Sequence, residues 1–503
     1  MKLRGVSGTQ KALEVRPSTT VDAPKAPATT TAPKPADTFA KDAAAKPTDA
    51  PKKTAVVSGL GPGGLLAVLK LSQLGYHVTG IEQRPDYTRH VNISLRQTYL
   101  DDLKALSPEL HAKLMQIAAP IERNEVYEFQ HGAKPVPQQP AETEFEKRLT
   151  APKAVNVSIR ELEKLFHEHL EGLAAEDEKA GRPPRITLMR EYSVKPEHDP
   201  KTDTYKITAE PWRYSEKKAS MTAKELGTPD LFVIAEGGKS TSARAVGMEM
   251  QKLSRSRTFV SGHVPESLGN KTRRVNAEFE VERPAGGVPK AREDVSLWAT
   301  GHSDKGTWLL MEVPDSMMLD NAHAALDLFL AGKALLFNPT PEQAHEFKHT
   351  HVAELNVPQD HVHAEKAPTY TTGFGGIFKF EQQLMPKPTA GKNVVALGDA
   401  GGMTHADLSA GLEIGIHDLG ALSVLASAIQ RGDAPDRALE TYGSTIYQTR
   451  LDALSLGMKE FYPDVNPFPK ELLDRASKIS TENDRLVPHQ VLERLLEQKR
   501  AAA

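Results

Sequence analysis

Up to Lys53 the chain has no periodic pattern of apolar residues; from Thr54 onward it has two. Short β-rich runs recur as TAVVSG (54–59), HVTGIE (77–82), RVNAEFEVER (274–283), DVSLWATG (294–301), GTWLLMEV (306–313) and NVVAL (393–397). They alternate or run apolar over strand length, which predicts strands. Between them lie stretches with apolar residues at helical spacing: LLAVLKLSQLG (65–75), VSIRELEKLFHEHL (157–170), DNAHAALDLFLAGKALL (320–336) and TPEQAHEFKHTHVAEL (340–355). Thr340 is a plausible N-cap for the last. Residues 434–462 and 487–500 predict a helical C-terminal region.

The first strand, helix and strand carry a particular chemistry. Gly59, Gly61, Gly63 and Gly64 fill the turn between TAVVS and the helix, and Glu82 ends the second strand. Gly59 permits a tight turn, Gly61 lets backbone N–H groups approach a pyrophosphate, and Gly64 lets helix and strand pack closely. The helix N-terminus offers the positive end of its dipole to phosphates, and Glu82 can accept from ribose hydroxyls. This is a Rossmann-type cradle, which fits NAD or FAD equally. A second cradle is absent: GFGGIFKF (373–380) lacks the third glycine and a following helix. No separate domain for a second dinucleotide is therefore expected.

Composition narrows the setting. The chain has 503 residues, 39% hydrophobic, a net charge of -3 and no cysteine. Disulfides, thiolate metal sites, cysteine nucleophiles and a cysteine-tethered flavin are excluded. Near-neutral charge gives no pointer to nucleic acid, and no apolar run approaches the roughly 18 residues of a membrane span. Residues 1–53, rich in Ala, Pro, Thr and Lys, cannot offset their ordering entropy by burial and read as a disordered tail. The start lacks the apolar segment of a secretory signal, so a cytoplasmic address is expected. Leaders of similar composition occur on bacterial effectors exported without cleavage, which keeps that address open. His345, His349, His351, His361 and His363 cluster in one stretch, but without the H-E-x-x-H spacing they read as solvated side chains rather than ligands.

Three further motifs give the chain a family likeness. KNVVALGDAGGMTHADLSAGLEIGIHDLGAL (392–422) resembles the second flavin fingerprint of the class A FAD-dependent monooxygenases, the p-hydroxybenzoate hydroxylase type. The resemblance implies that Gly398-Asp399 meets the ribityl chain and that a helix opening at Gly411 and Leu412 points at the flavin ring, with Asp418 at the family's later acidic position. Gly402, Ala406 and Ser409 replace the usual His, Pro and Gly. In VSIRELEKLF, Arg160 matches the arginine that the family directs at the ribityl or phosphate side. In PDLFVIAEGGKSTSAR (229–244), Glu236-Gly237 takes the place of the family's Asp-Gly, which touches flavin and nicotinamide, and Arg244 lies one residue late. The run Glu82-Gln83-Arg84, then Arg89, Asn92, Ile93 and Leu95, is similar to kynurenine 3-monooxygenase and to the MICAL monooxygenase domain. Arg89 and Arg96 are candidates for holding flavin or a substrate carboxylate.

The resemblance implies an α/β protein: a Rossmann-like FAD-binding domain (54–126, 154–250, 391–430), an interleaved, mostly antiparallel β substrate domain (127–153, 251–390) and a helical C-terminal region (431–503). It implies non-covalent FAD, NAD(P)H as a transient co-substrate, and oxygenation of a small molecule or protein-borne group through a flavin C4a-hydroperoxide. His405 is the candidate polar group near the ring. No W-x-W-x-I-P halogenase signature is present. Two other readings stay open, a flavin oxidoreductase that inserts no oxygen and a flavin-containing binding protein. Oligomeric state is not legible.

The tail reading gives a direct test. Removing residues 1–50 is expected to leave folding unchanged, because that segment has too little apolar surface to dock. Circular dichroism and thermal unfolding of the truncated protein check it; a lower melting temperature would show that the tail packs on the core.

Overall fold

A computed structural model describes residues 53–89, 91–129, 154–253, 257–281, 291–313, 322–344, 347, 374–403, 411–461 and 488–501. The tail, His405, Ala406, Ser409 and the five clustered histidines lie outside the described residues. The helices are α1 (Pro62–Gln73), α2 (Gln97–Leu106), α3 (Pro108–Ile117), α4 (Ile159–Lys179), α5 (Thr241–Ala245), α6 (Ala322–Phe337), α7 (Gly411–Gln430), α8 (Pro435–Phe461) and α9 (Pro488–Ala501).

A six-stranded sheet forms the frame. Its order runs Thr389–Ala390, Val394–Ala396, Leu231–Ile234, Thr54–Ser58, His77–Glu82, Ile186–Arg190. All pairs are parallel except the short outermost strand at Thr389. Strands covered on both faces need apolar residues at every position, and Val57, Leu231, Phe232, Val233, Ile234, Val394 and Val395 are all fully buried. One face packs on α1, α4 and α7, and the other on a three-stranded antiparallel ribbon (Tyr192–Asp199, Thr204–Pro211, Lys224–Gly227).

A second six-stranded sheet roofs the first domain. Its order is Phe374–Phe380, Arg257–Val264, Gly306–Val313, Ala291–His302, Lys271–Val281, Arg123–Phe129. Its pairs are antiparallel, except that Arg123–Phe129 runs parallel to Lys271–Val281. That strand enters the roof before residue 127, so the roof begins earlier in the chain than the sequence boundary places it. Period-2 alternation puts Val260, Val275, Leu297, Leu309 and Met311 on one face, against Leu328, Phe329, Leu335 and Leu336 of α6. Arg273 ties the roof together: it bonds Glu125 (Nε–Oε2 2.8 Å) and donates to the last carbonyls of α6, Leu336 (2.6 Å) and Phe337 (3.2 Å).

The motif-bearing and C-terminal stretches form helices as expected, and Thr340 Oγ1 accepts from the Gln343 amide at 3.2 Å, as an N-cap does. One expectation is corrected. By length and composition α7 is apolar enough to cross a membrane, and it is the one such helix among the described residues. It is 72% buried over its most apolar window and packs against α1, α2, α8 and α9, so its hydropathy reflects a core position.

The close docking of α9 on α7 has a pH consequence. His489 of α9 sits against Gly420 of α7, where an added Cβ would lie 2.9 Å from the imidazole Nδ1. Burial, helped by His417, pushes the His489 pKa down to about 4. The folded-state value lies below the unfolded one, so the unfolded chain takes up the proton first. Stability is complete above the ordinary histidine pKa of ~6.5 and falls as pH drops towards about 4. Thermal melts across this range should show the decline, and His489→Gln should flatten it.

Candidate functional site

The two sheets enclose a cleft of about 600 Å³, within the roughly 300–1,000 Å³ usual for ligand sites. Its floor at one end is the glycine turn. Gly59 holds φ +93, and a Cβ there would lie 2.6 Å from the Ala235 carbonyl oxygen. A side chain at Gly64 would collide with the Gly59 carbonyl. Pro62 opens α1, where its fixed φ suits the helix and its missing N–H costs nothing. Gly59, Gly61, Gly63, Gly64, Glu82, Gln83 and Arg84 all line this end of the cleft.

Glu82 does two jobs at the strand end. Its Oε2 accepts from the Leu60 amide (3.0 Å), which fixes the glycine turn, and its Oε1 accepts from the amide and Nε of Arg84 (3.0 and 3.1 Å). Burial pushes its carboxyl up, but these bonds outweigh burial and hold it below the ordinary carboxylate range. A charged acceptor therefore stands at the cradle's end with lone pairs to spare.

At the far end, the turn Gly398–Ala400 and the opening of α7 form the wall, with Gly398, Asp399, Gly411, Leu412 and Ile416 lining the cleft. Asp418 of α7 accepts from the Gly398 amide (3.0 Å) and from Arg450 of α8. The Arg450 and Asp418 side chains are 3% and 2% exposed, and the guanidinium packs on Gly401. Asp399 itself accepts no hydrogen bond from the described residues. It is exposed to the cleft, yet protein surrounds it closely on every other side; burial pushes its pKa up, partly offset by Arg450 and Arg89. The roof contributes Thr300 and Trp308, a directly opposed pair. Asn92, Ile93, Ser94 and Tyr99 close the side, and the Tyr99 hydroxyl is buried with no hydrogen bond among the described residues.

Several expected residues lie elsewhere. Arg160 pairs with Asp86 (3.2 Å) and is not part of the cleft lining, because the first turn of α4 faces the loop after Glu82. Arg96 forms a buried pair with Glu413 (2.6 Å), bracing the start of α7 from behind. Arg244 donates from Nε to the Ser240 carbonyl (3.3 Å). Glu236 and Gly237 do line the cleft, but the Glu236 carboxylate is turned to protein donors: the hydroxyls of Ser58, Ser240 (2.8 Å) and Ser242, and the Ser242 amide (3.0 Å). It accepts from the first turn of α5, whose N-cap is Ser240, and ties that turn to the first strand.

Arg450, Glu413, Glu163, Tyr99, Thr300 and Trp308 were not singled out from sequence. Glu163 had a signal, a charge on the apolar stripe Ile159, Leu162, Phe166, Leu170. Arg450 had none, since its partner is 32 residues away.

No protein-family model and no curated protein sequence matches the chain. Solved structures do. CtdE in complex with FAD and a substrate is 11% identical, with 90% of this chain and 100% of that chain covered at a TM-score of 0.56. CmlS, a flavin-dependent halogenase, is 16% identical, with 90% and 78% covered at 0.55. The p-nitrophenol 4-monooxygenase PnpA from Pseudomonas putida DLL-E4 is 16% identical, with 89% and 98% covered at 0.54.

The Arg450–Asp418 pair is testable. Arg450→Met leaves a buried carboxylate without its cation and should cost about 3 kcal/mol or more, read as a shifted urea midpoint. Adding Asp418→Asn should recover part of the loss. With this geometry and these likenesses together, the chain has the fold of the FAD-binding monooxygenases and halogenases.

Proposed function

We propose that the protein binds FAD non-covalently in this cleft and is an FAD-dependent monooxygenase, using NAD(P)H and O2 to oxygenate a small-molecule or protein-borne substrate. The observation that carries the reading is a single cleft joining two separate binding devices. At one end stand the glycine turn and Glu82; at the other stand Asp399, which has no hydrogen-bond partner among the described residues, and the opening of α7. A dinucleotide with a long polyol arm suits both, and NAD has no group that calls for the second.

Bound FAD would supply hydride acceptance and oxygen activation; the protein supplies position, charge and exclusion of water. The cradle amides and Arg89 would hold phosphate. Glu82 would hold ribose hydroxyls, and Asp399 a hydroxyl of the polyol chain. The α7 N-terminus favours negative charge on the ring edge nearest it. Thr300 and Trp308 cover the cleft from the roof. NAD(P)H would come and go, in keeping with the single cradle. His405 stays a candidate for proton handling.

Flavin oxidoreduction without oxygen insertion is the second reading, and one feature favours it. Where the resemblance calls for histidine, Gly402 packs against Arg450, Gln383 and Leu384, and an added Cβ would lie 3.4 Å from each. Arg450, rather than a side chain at this position, occupies the space beside Gly401 and Gly402. NAD(P)H oxidation coupled to an oxygenated product separates the readings.

The purified protein should be yellow and release FAD on denaturation. Gly61→Val should lose the cofactor. Asp399→Ala should weaken FAD by about 1.5–3 kcal/mol, roughly tenfold to a hundredfold, through loss of a charge-assisted hydrogen bond. Titration of apoprotein with FAD measures this, with circular dichroism as the folding control; wild-type affinity in a folded Asp399→Ala protein would remove Asp399 from the site.

A further inference from the structure

Beside the glycine turn stands a carboxylate that the cofactor reading does not use. Glu163 of α4 has a side chain with no exposure, and its Oε1 accepts from the Nη2 of Arg89 while its Oε2 is buried without a partner among the described residues. Arg89 is 40% exposed and lines the cleft. A Cβ built on Gly61 would lie 3.4 Å from Arg89 Nη2 and 3.8 Å from Glu163 Oε1. Gly61 is where a phosphate comes nearest the backbone, so the pair sits at the cradle itself.

This places two anions on one cation. A pyrophosphate docked at Gly61 brings negative charge up to a buried carboxylate whose hydrogen-bonding partner among the described residues, Arg89, also lines the cleft. Arg89 cannot neutralise both, and a buried carboxylate robbed of its cation is costly. Resting on the flavin reading above, we propose that Arg89 is shared between Glu163 and the cofactor's phosphates, and that filling the cradle drives one proton from solvent onto Glu163. The carboxylate then changes from a repelling anion to a neutral group able to donate a hydrogen bond. No bond other than that O–H forms, and no electron moves.

The surroundings agree. Glu163 is already pushed above the ordinary carboxylate range, by burial first and by Glu82, against the lowering effect of Arg89 and Arg84. Arg84 is committed to Glu82, and Arg190 stacks on Tyr87 (4.0 Å). The Tyr87 phenol, buried nearby, is itself pushed up by burial and stays neutral. On α4, His167 faces Glu171 (3.2 Å) and Arg160 faces Asp86. On α3, Lys113 and Glu109 bond one another (2.7 Å), with His169 beside Glu109. The one charged residue of α1, Lys70, lies in its last turn, at the far end of that helix from Gly61. None of these is placed to replace Arg89 at Glu163.

Calorimetric titration of apoprotein with FAD near neutral pH, in two buffers of different ionisation enthalpy, counts the protons. The wild type should take up about one proton per FAD, and its affinity should rise as pH falls, by up to about tenfold per unit. Glu163→Gln keeps the size and removes the charge. It should bind FAD at least as well as wild type, with uptake near zero and a flat pH dependence. FAD binding with no proton uptake by the wild type overturns the proposal without any variant being needed. Equal uptake by a folded Glu163→Gln protein overturns it as well, since the proton then goes elsewhere. Binding heat absent in every buffer overturns the flavin reading, and this proposal with it.

Discussion

The Asp418 carboxylate is the constraint on which the far half of the site depends. It sits inside α7, 2% exposed, and would be intolerable there as a bare charge. Two donors make it stable: the Gly398 amide and the Arg450 guanidinium. Each bond has a structural effect. The first fixes the turn that presents Asp399 to the cleft. The second holds α8 against α7 and fills the space behind Gly401. Because Gly398 takes φ +58, the chain can leave the Val394–Ala396 strand, bond Asp418 and still turn Asp399 outward. One buried ion pair thus couples the C-terminal helices to the carboxylate that the cofactor reading needs.

The same device recurs around the cleft. Arg89 pairs with Glu163 beside the glycine turn, Arg96 with Glu413 behind the start of α7, and Arg450 with Asp418 behind Asp399. Pairs with a buried carboxylate of this kind contribute little net stability, but each is expensive to break, so they fix position rather than add strength. Against that background Asp399 stands out, since it lines the cleft and accepts no hydrogen bond from the described residues. The difference between the paired carboxylates and the unpaired one separates groups that hold the scaffold from a group left for a ligand.

What the sequence made legible was what is local. The glycine turn, the strand that ends at Glu82 and the helix opening at Gly411 each follow from spacing within about thirty residues, and period-2 alternation exposed the strands of the roof. Side-chain destinations were another matter. Arg160 opens α4 as expected, but its direction is set by Asp86, on a loop 74 residues earlier. Glu236 stands at the expected strand end, yet one extra methylene and three nearby serines turn its carboxylate onto the first turn of α5. Arg96 and Glu413 lie 317 residues apart, so no window of sequence could have paired them. The parallel partner of the roof, Arg123–Phe129, was hidden for the same reason: its register with Lys271–Val281 is a tertiary fact.

The join between roof and cradle sets the shape of the cleft. Asn92 donates to the Thr300 and Gly306 carbonyls (3.2 and 3.3 Å), and Asn156 donates to the Gly301 carbonyl (2.9 Å). These carbonyls flank the turn between two roof strands, Ala291–His302 and Gly306–Val313. Asn92 and Asn156 lie on paired strands of the first domain, Asn92–Leu95 and Val155–Ser158, so the roof is latched to one rigid ribbon. The residue on the roof side of the latch, Thr300, also lines the cleft with its strand partner Trp308. Shape is therefore set by the bonds that satisfy the backbone, and a ligand entering the cleft meets a wall already in place. Its binding energy need not be spent on ordering that wall, which leaves the charge balance at Gly61 and the open acceptor at Asp399 as the terms that decide what binds.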